Sequence, residues 1–216
     1  MRTISQAVEE IIQRSPFLAE AMAEGVANNA QIARKIKKEV EARLYEKVSE
    51  AAIAMALHRM GKKFRRAPYS EKLIKQMNDI TVRSNLVEFV YANSDSLNHV
   101  LDVLGKHMAK RKDSFLNFSH GLHESLIVVN TEFESEVERA LKGEKQVEKM
   151  TGLSAITMRL PEQSLAVPGM YYPILKAIAE EGISFEEVMS VRTEFSIIFK
   201  DEYVDRAFSV LKRITS

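Results

Sequence analysis

The sequence predicts an α+β protein, in which an all-helical N-terminal domain is followed by two copies of one small unit that packs helices on a sheet. Apolar residues recur at helical spacing as far as residue 61, and β-branched and aromatic segments separated by helices replace that pattern after residue 79. The order of those later segments repeats once. These observations divide the chain into 1–66, a linker with a short helix at 67–78, and two units at 79–150 and 151–216.

The composition is that of a globular protein with two or three small domains. The chain has 216 residues, 45% of them hydrophobic, and its eight Gly and five Pro are too few for a fibrous or disordered protein. The longest apolar run, 51–57, is too short to cross a membrane, and no signal-peptide pattern is present. The absence of cysteine excludes disulfides, thiolate metal sites and cysteine nucleophiles. We expect a cytoplasmic protein with no membrane partner.

Four helices are predicted in the first domain, each with an apolar stripe on one side. The stripes contain Ile4, Val8, Ile11 and Ile12; Phe17, Leu18, Ala21 and Met22; Ile32, Ile36, Val40 and Leu44; and Ile53, Ala56, Leu57 and Met60. The expected N-caps of the last three helices are Ser15, Asn28 or Asn29, and Ser49. Gly25 and Gly61 are expected to close the second and fourth helices.

The first domain is basic and the remainder of the chain is acidic. Residues 1–78 hold 15 Lys and Arg against 9 Asp and Glu, whereas 79–216 hold 16 against 21. Residues 48–61 resemble the recognition helix of winged helix-turn-helix regulators, and 29–36 resemble the helix before it. The side chains that would contact nucleic-acid phosphates are His58, Arg59, Lys62, Lys63, Arg65 and Arg66. The alternative is a solvated surface on a structural or dimerising helical cap, because basic and acidic residues alternate along these helices.

The later segments form two copies of one order of elements. The first copy has a strand at 86–92, a helix at 96–110, strands at 115–120 and 126–130, and a helix at 134–141. The second has a strand at 155–160, a helix at 170–181, strands at 183–191 and 195–200, and a helix at 202–214. Residues 124–129 align with 194–199, which lie 70 positions later.

Each copy needs a fourth strand to complete a ferredoxin-like unit, which has the order βαββαβ. Residues 146–150 can supply this strand to the first copy. Because the chain ends after the last helix, the second copy must take its strand from elsewhere, and 80–83 is the best donor. This exchange predicts that 79–216 is one body that cannot be cut between the copies.

Four segments of the second copy resemble an ACT domain. They are 167–170, 182–190, 193–199 and 205–208. The resemblance is closest to the paired ACT modules of the regulatory region of aspartokinases, and it is better over 155–214 than over 80–150. It implies regulation and not phosphoryl transfer, since the chain has no kinase domain. It also implies a small-molecule effector, commonly an amino acid, bound between paired modules, and assembly into a homodimer or larger oligomer.

The segment Val167-Pro168-Gly169-Met170 is the candidate ligand site. We expect Gly169 to begin a helix directly after a strand, so that first-turn amides and the helix dipole favour a ligand carboxylate. The neighbouring strand, with Glu187, Val188 and Ser190, would supply carbonyl groups, or the Glu187 carboxylate, to an amino group. The alternative is a simple turn from strand to helix. In the first copy, Ser94 or Asp95 is expected to be only a helix cap, since Asp95 would repel a carboxylate.

The sequence argues against catalysis and against a cofactor. No two of the eight glycines are close enough for a dinucleotide fingerprint or a phosphate loop. His120 and His123 are the only close histidine pair, and strand geometry would point them to opposite faces, so no metal site is expected. Three hypotheses remain: a non-enzymatic regulator that binds an amino acid, a DNA-binding regulator, and an assembly scaffold without a ligand.

Overall fold

The computed structural model describes residues 2–64, 69–77, 79–97, 105 and 114–216, and only the backbone of 61–64 and 69–71. The chain forms two compact units, Met1–Pro68 and Tyr69–Ser216. The first unit is helical and the second contains the sheet, so the predicted α+β class is confirmed.

The N-terminal unit consists of four helices around one apolar core. They are α1 (Ile4–Gln13), α2 (Pro16–Glu24), α3 (Asn29–Leu44) and α4 (Glu50–Phe64). The predicted stripes supply most of the core, including Val8, Ile36 and Leu57. Asn28 caps α3, because its side chain accepts hydrogen bonds from the amides of the next turn.

Two predicted helix ends differ from the structure. Ser15 precedes α2 but makes no side-chain cap, whereas Pro16 occupies the first turn of the helix, where its missing N–H costs no helical hydrogen bond. Helix α4 continues past Gly61 to Phe64, because the following residues are good helix formers and a single interior glycine costs only about 1 kcal/mol. Gly25, by contrast, closes α2 in the left-handed conformation, as predicted.

The second unit contains one antiparallel sheet of six strands in the order β2-β3-β1-β4-β6-β5. The strands are β1 (Ile80–Ala92), β2 (Leu116–His120), β3 (Glu124–Asn130), β4 (Gln146–Arg159), β5 (Glu187–Val191) and β6 (Glu194–Lys200). The helices are α5 (Tyr69–Ile74), α6 (Glu134–Ala140), α7 (Tyr172–Glu180) and α8 (Asp201–Thr215). Residues 95–97 and 105 are also helical, and the rest of the helix predicted at 96–110 lies outside the described residues.

Strands β1 and β4 each contribute to both halves of the sheet. Residues 80–83 pair with 155–158 in the second half, whereas 86–92 pair with β3 and with 146–153 in the first. Both predictions for the fourth strand, 146–150 and 80–83, are therefore confirmed. The pairing register shifts on both sides of Leu86, and Asn85 and Gly152 have positive φ angles of 60° and 68°. Such irregularities bend a sheet, so the two halves meet at a bend.

The helices cover one face of each half. In the second half, Ile156, Ile197 and Phe199 pack beneath α7 and α8. Leu73 and Ile74 of α5 and the following Met77 are buried in the same core, so the short helix assigned to the linker packs with the second unit. In the first half, the corresponding core contains Phe89, Leu97, Val129, Phe133 and Val137.

The faces without helices share a further core. Its buried members come from both halves of the sheet: Leu86 and Val128 from the first, Ala155 and Ile198 from the second, and Leu153, which pairs with strands of both. Phe115, Leu126, Met150 and Met189 pack against them. Because apolar residues of both halves meet there, the two halves form one body, as predicted.

Candidate functional site

The turn at residues 167–171 connects β4 to α7 differently from the prediction. A 3-10 turn at Glu162–Ala166 follows β4, and α7 begins only at Tyr172, with a proline in its first turn. Gly169 lies before the helix with φ of 73°, a conformation that favours glycine. The expectation that Gly169 begins the helix is therefore wrong, because Pro173 is best placed near the helix start and Gly169 is needed for the turn.

This turn is fixed at its ends and open in the middle. Met170 is 5% exposed in the core, and Val167 packs against the same core. Pro168 and Gly169 are exposed, and a Cβ added to Gly169 would meet no atom within 4 Å. Among the described residues, no carbonyl oxygen accepts a hydrogen bond from the amides of residues 169–171. The turn therefore has backbone amides without a carbonyl acceptor among the described residues, and its Gly169 faces open space.

Tyr171 connects the turn to the edge strand β5, and sequence reasoning missed it. Its hydroxyl lies 2.8 Å from Oγ of Ser190. Its ring stacks on Phe195, with 4.3 Å between the centroids and 13° between the planes. In the sequence, the signal for a role of Tyr171 was an aromatic residue directly after Gly169 and Met170. Its partner is evident only once Ser190 is known to pair with Phe195.

Strand alternation separates the three predicted residues of β5. Val188 and Ser190 pair with Ile197 and Phe195, whose side chains lie on the helix-covered face with Tyr171. Glu187 pairs with Ile198, which belongs to the core on the other face. The structure thus brings Ser190 to the turn and places Glu187 on the opposite side of the sheet. Glu187 is therefore unsuited to the predicted role of binding an amino group at this turn.

The corresponding loop of the first half already holds a carboxylate from its own chain. Ser94 and Ser96 donate hydrogen bonds to Glu144 at 2.6 and 2.5 Å, and these bonds lower the pKa of the Glu144 carboxyl. The amide of Leu97 donates to Oγ of Ser94, so Ser94 is the helix cap. Asp95 is exposed.

Of the two histidines, His120 ends β2 and His123 lies in the turn before β3. Nδ1 of His120 lies 2.8 Å from Oγ of Ser125. Throughout the part of the chain that the structure describes, no group of three or more His, Asp or Glu side chains could hold a metal ion.

The residues proposed for nucleic-acid contact are only partly described. His58 and Arg59 are exposed on α4. The side chains of Lys62 and Lys63, and all of Arg65 and Arg66, lie outside the described residues. Residues 2–64 contain no strand, so this range lacks the wing of a winged helix. No helix in the described ranges has the length and apolar character needed to cross a bilayer.

Comparison with known proteins identifies the fold of the sheet-containing unit. No family model matches the chain, and no curated protein does so. Among solved structures, the ligand-free regulatory subunit of aspartate kinase from Thermus thermophilus is 12% identical, with a TM-score of 0.52, over 65% of this chain and 99% of that one. The aspartate kinase from Clostridium acetobutylicum is 10% identical, with a TM-score of 0.53, over 65% of this chain but only 35% of the enzyme.

A third structure agrees with these two. Aspartokinase III from E. coli, in complex with aspartate and ADP, is 11% identical, with a TM-score of 0.51, over 64% of this chain and 33% of that one. At such low identity the likeness establishes the fold alone. The six-stranded sheet with its shared strands is thus a tandem ACT-like module, similar to the regulatory part of aspartate kinases.

Proposed function

We propose that the ACT-like module is a non-catalytic sensor that binds a small carboxylate, an amino acid, at the turn formed by Val167, Pro168, Gly169 and Met170. The observation that carries this proposal is the backbone of that turn. Its amides from Gly169 to Tyr171 donate to no carbonyl oxygen among the described residues, and the Cβ position of Gly169 faces open space. Backbone amides are suitable donors to a carboxylate, because each charge-assisted hydrogen bond is stronger than a neutral one.

Two hydroxyl groups would complete the site on the side of β5. Tyr171 and Ser190 already contact each other, and each has donor and acceptor capacity for the amino group or carboxylate of a ligand. Val188, on the same face, would provide an apolar contact. Glu187 takes no part, since it lies on the other face of the sheet.

The relatives support regulation as the role of such a module. The Thermus structure is named a regulatory subunit, and the Clostridium structure is named an allosteric enzyme. The match covers 99% of the Thermus chain, so the fold occurs there without a kinase domain. A ligand would regulate only if it binds one arrangement of the protein better than another. We propose that the arrangement in question is a homodimer formed through the open edges of the sheet, β2 and β5.

Titration calorimetry of the full chain against the twenty amino acids tests the proposal. We expect heat with at least one of them, and a change in oligomeric state measured by sedimentation when that amino acid is added. Tyr171→Phe and Ser190→Ala should each weaken binding by about tenfold, since one hydrogen bond to a charged group is lost.

Glu187→Gln is the matched control, because it changes a polar side chain of the same strand that faces away from the turn. Its affinity should equal that of the unmodified chain. The absence of heat with all twenty amino acids would remove the sensor proposal, and a loss of affinity only in the control would place the ligand on the other face.

A further inference from the structure

A buried acid lies between the two halves of the sheet. Glu88 is in the middle of β1, between Val128 of β3 and Met150 of β4. It is 1% exposed, and its Oε2 has no hydrogen-bond partner among the described residues. An ionised carboxylate in this position would lack the donors that a buried charge requires.

The side chain of Glu88 lies on the face that both halves share. Its neighbour on this face of β1, Leu86, and its strand partner Val128 belong to the core that also contains Ala155 and Ile198 of the second half. The charge state of Glu88 therefore affects the contact between the halves, and not only the first half of the sheet.

The charged groups that surround Glu88 are mainly acidic. Glu148 projects from β4, and Glu186 and Glu187 come from the start of β5; β3 contributes only Leu126 and Val128 nearby on this face. Burial is the main cause that raises the pKa of Glu88 to about 7, and the repulsion of Glu187, Glu186 and Glu148 adds to it.

The basic groups on this face do not neutralise Glu88. Lys200 of β6 lies 3.7 Å from Oε1 of Glu186, with its side chain half exposed to solvent. Arg83, on β1 itself, lies beyond the bend, opposite Ala155, and the charged groups that shift the pKa of Glu88 are all acidic. In the described part of the chain, Glu88 and the acids around it do not form a group that could bind a metal ion. A proton is thus the cation that best relieves the buried charge.

The same row of the sheet has a second unpaired acceptor. Asn117 of β2 pairs with Val128 on the side opposite Glu88, and its Oδ1 is a buried oxygen without a partner among the described residues. A protonated Glu88 gains an O–H donor and carries no charge in this row.

We propose that protonation of Glu88 controls how tightly the two halves of the ACT-like module pack against each other. The protonated side chain fits the shared apolar core, whereas the ionised side chain repels the acids of β5 and draws water into the joint. This inference does not depend on ligand binding at the turn.

The sign of the pH effect follows from linkage. The folded protein binds the Glu88 proton more tightly than the unfolded chain, whose carboxyl has its ordinary pKa of 4.5. Between about pH 4.5 and 7, the folded state is thus most stable at the acid end, and this stabilisation is lost as the pH rises. Above pH 7 both states are ionised and the effect is constant. The full change is about 300-fold in the unfolding equilibrium constant, because each pKa unit corresponds to tenfold.

The experiment is a carboxyl titration of Glu88 by carbon-detected NMR on the full-length protein. We expect its resonance to titrate near pH 7, and a titration at the ordinary value near 4.5 would overturn the proposal. Hydrogen exchange of the β1 and β4 amides at the bend, corrected for intrinsic rates, should be about tenfold faster at pH 8 than at pH 6.

Glu88→Gln keeps the shape of the protonated acid and should remove this difference in exchange between pH 6 and 8. Glu148→Gln, which changes an exposed acid of the same group, should retain it. Equal pH dependence in Glu88→Gln and the unmodified chain would contradict the proposal. If Glu88→Gln failed to fold, the titration of the unmodified protein would still decide the question.

Discussion

At the scale of single residues, hydrogen-bonding capacity decides which of several candidates takes a structural role. Either Asn28 or Asn29 could cap α3 from sequence alone. In the structure, only the Asn28 side chain accepts from the amides of Ala30 and Gln31, at 3.0 and 3.2 Å. On β5, Ser190 contacts the Tyr171 hydroxyl, whereas the side chain of Glu187 lies on the opposite face of the strand.

This contrast gives a prediction for the N-terminal unit. Asn28→Ala should lower the free energy of unfolding by about 1 kcal/mol, since two helix amides lose their acceptor. Urea denaturation followed by circular dichroism measures this value. Asn29→Ala is the control and should change the free energy by less than half as much; equal losses in the two variants would show that Asn28 is not the cap.

At the scale of elements, the bend between the two halves depends on two backbone positions with positive φ. Asn85 occupies one and Gly152 the other, on the two strands that run through both halves. Asparagine and glycine tolerate this conformation better than other residues. The bend permits the shared core, because β1 and β4 can change direction there without losing the strand pairs on either side.

Substitution at the bend has an expected cost that arises from the backbone. Gly152→Ala should destabilise the ACT-like module by about 1 to 2 kcal/mol, because the φ of 68° is strained for alanine. Crowding contributes little, since the added Cβ would meet only a side-chain oxygen of Asp201 at 3.8 Å. Thermal denaturation of the full chain measures the effect. Asn85→Gly keeps a residue suited to positive φ and should cause no comparable loss; a neutral Gly152→Ala would contradict the role of the bend.

At the scale of the whole molecule, the chain divides after Pro68 and not between the two copies. The segment Tyr69–Ser216 is compact by itself, and α5 belongs to its core. Inside it, β1 supplies 80–83 to the second half and β4 supplies 146–150 to the first. The second half, at 151–216, therefore lacks a strand without the first.

Expression of fragments tests this division. A fragment of residues 69–216 should unfold in one cooperative urea transition and give dispersed amide resonances. Fragments 79–150 and 151–216 should each remain unfolded alone, since the second loses the strand from 80–83 and both lose the shared core of Leu86, Leu153 and Ile198. A folded 151–216 fragment would show that the strand from 80–83 is dispensable.

Local patterns in the sequence predict the helices, the repeat and the exchange of strands. Periodic apolar residues define the helices α1 to α4, and the missing fourth strand of the second copy pointed to 80–83, which indeed pairs with 155–158. The same patterns predicted a turn at Val167 to Met170, although they placed the start of α7 three residues too early. These features depend on local spacing and on the number of strands, both of which a sequence displays directly.

Which side chains meet depends on long-range packing. Strand alternation predicts which residues of β5 share a face. It does not predict that Tyr171, directly before α7, reaches the face of Ser190, or that Glu187 lies toward Glu88. The burial of Glu88 was likewise hidden, because a glutamate in a strand is ordinarily on a solvated face. Here the sheet bends and covers that face with its own other half, and this long-range packing has no local signature in the sequence.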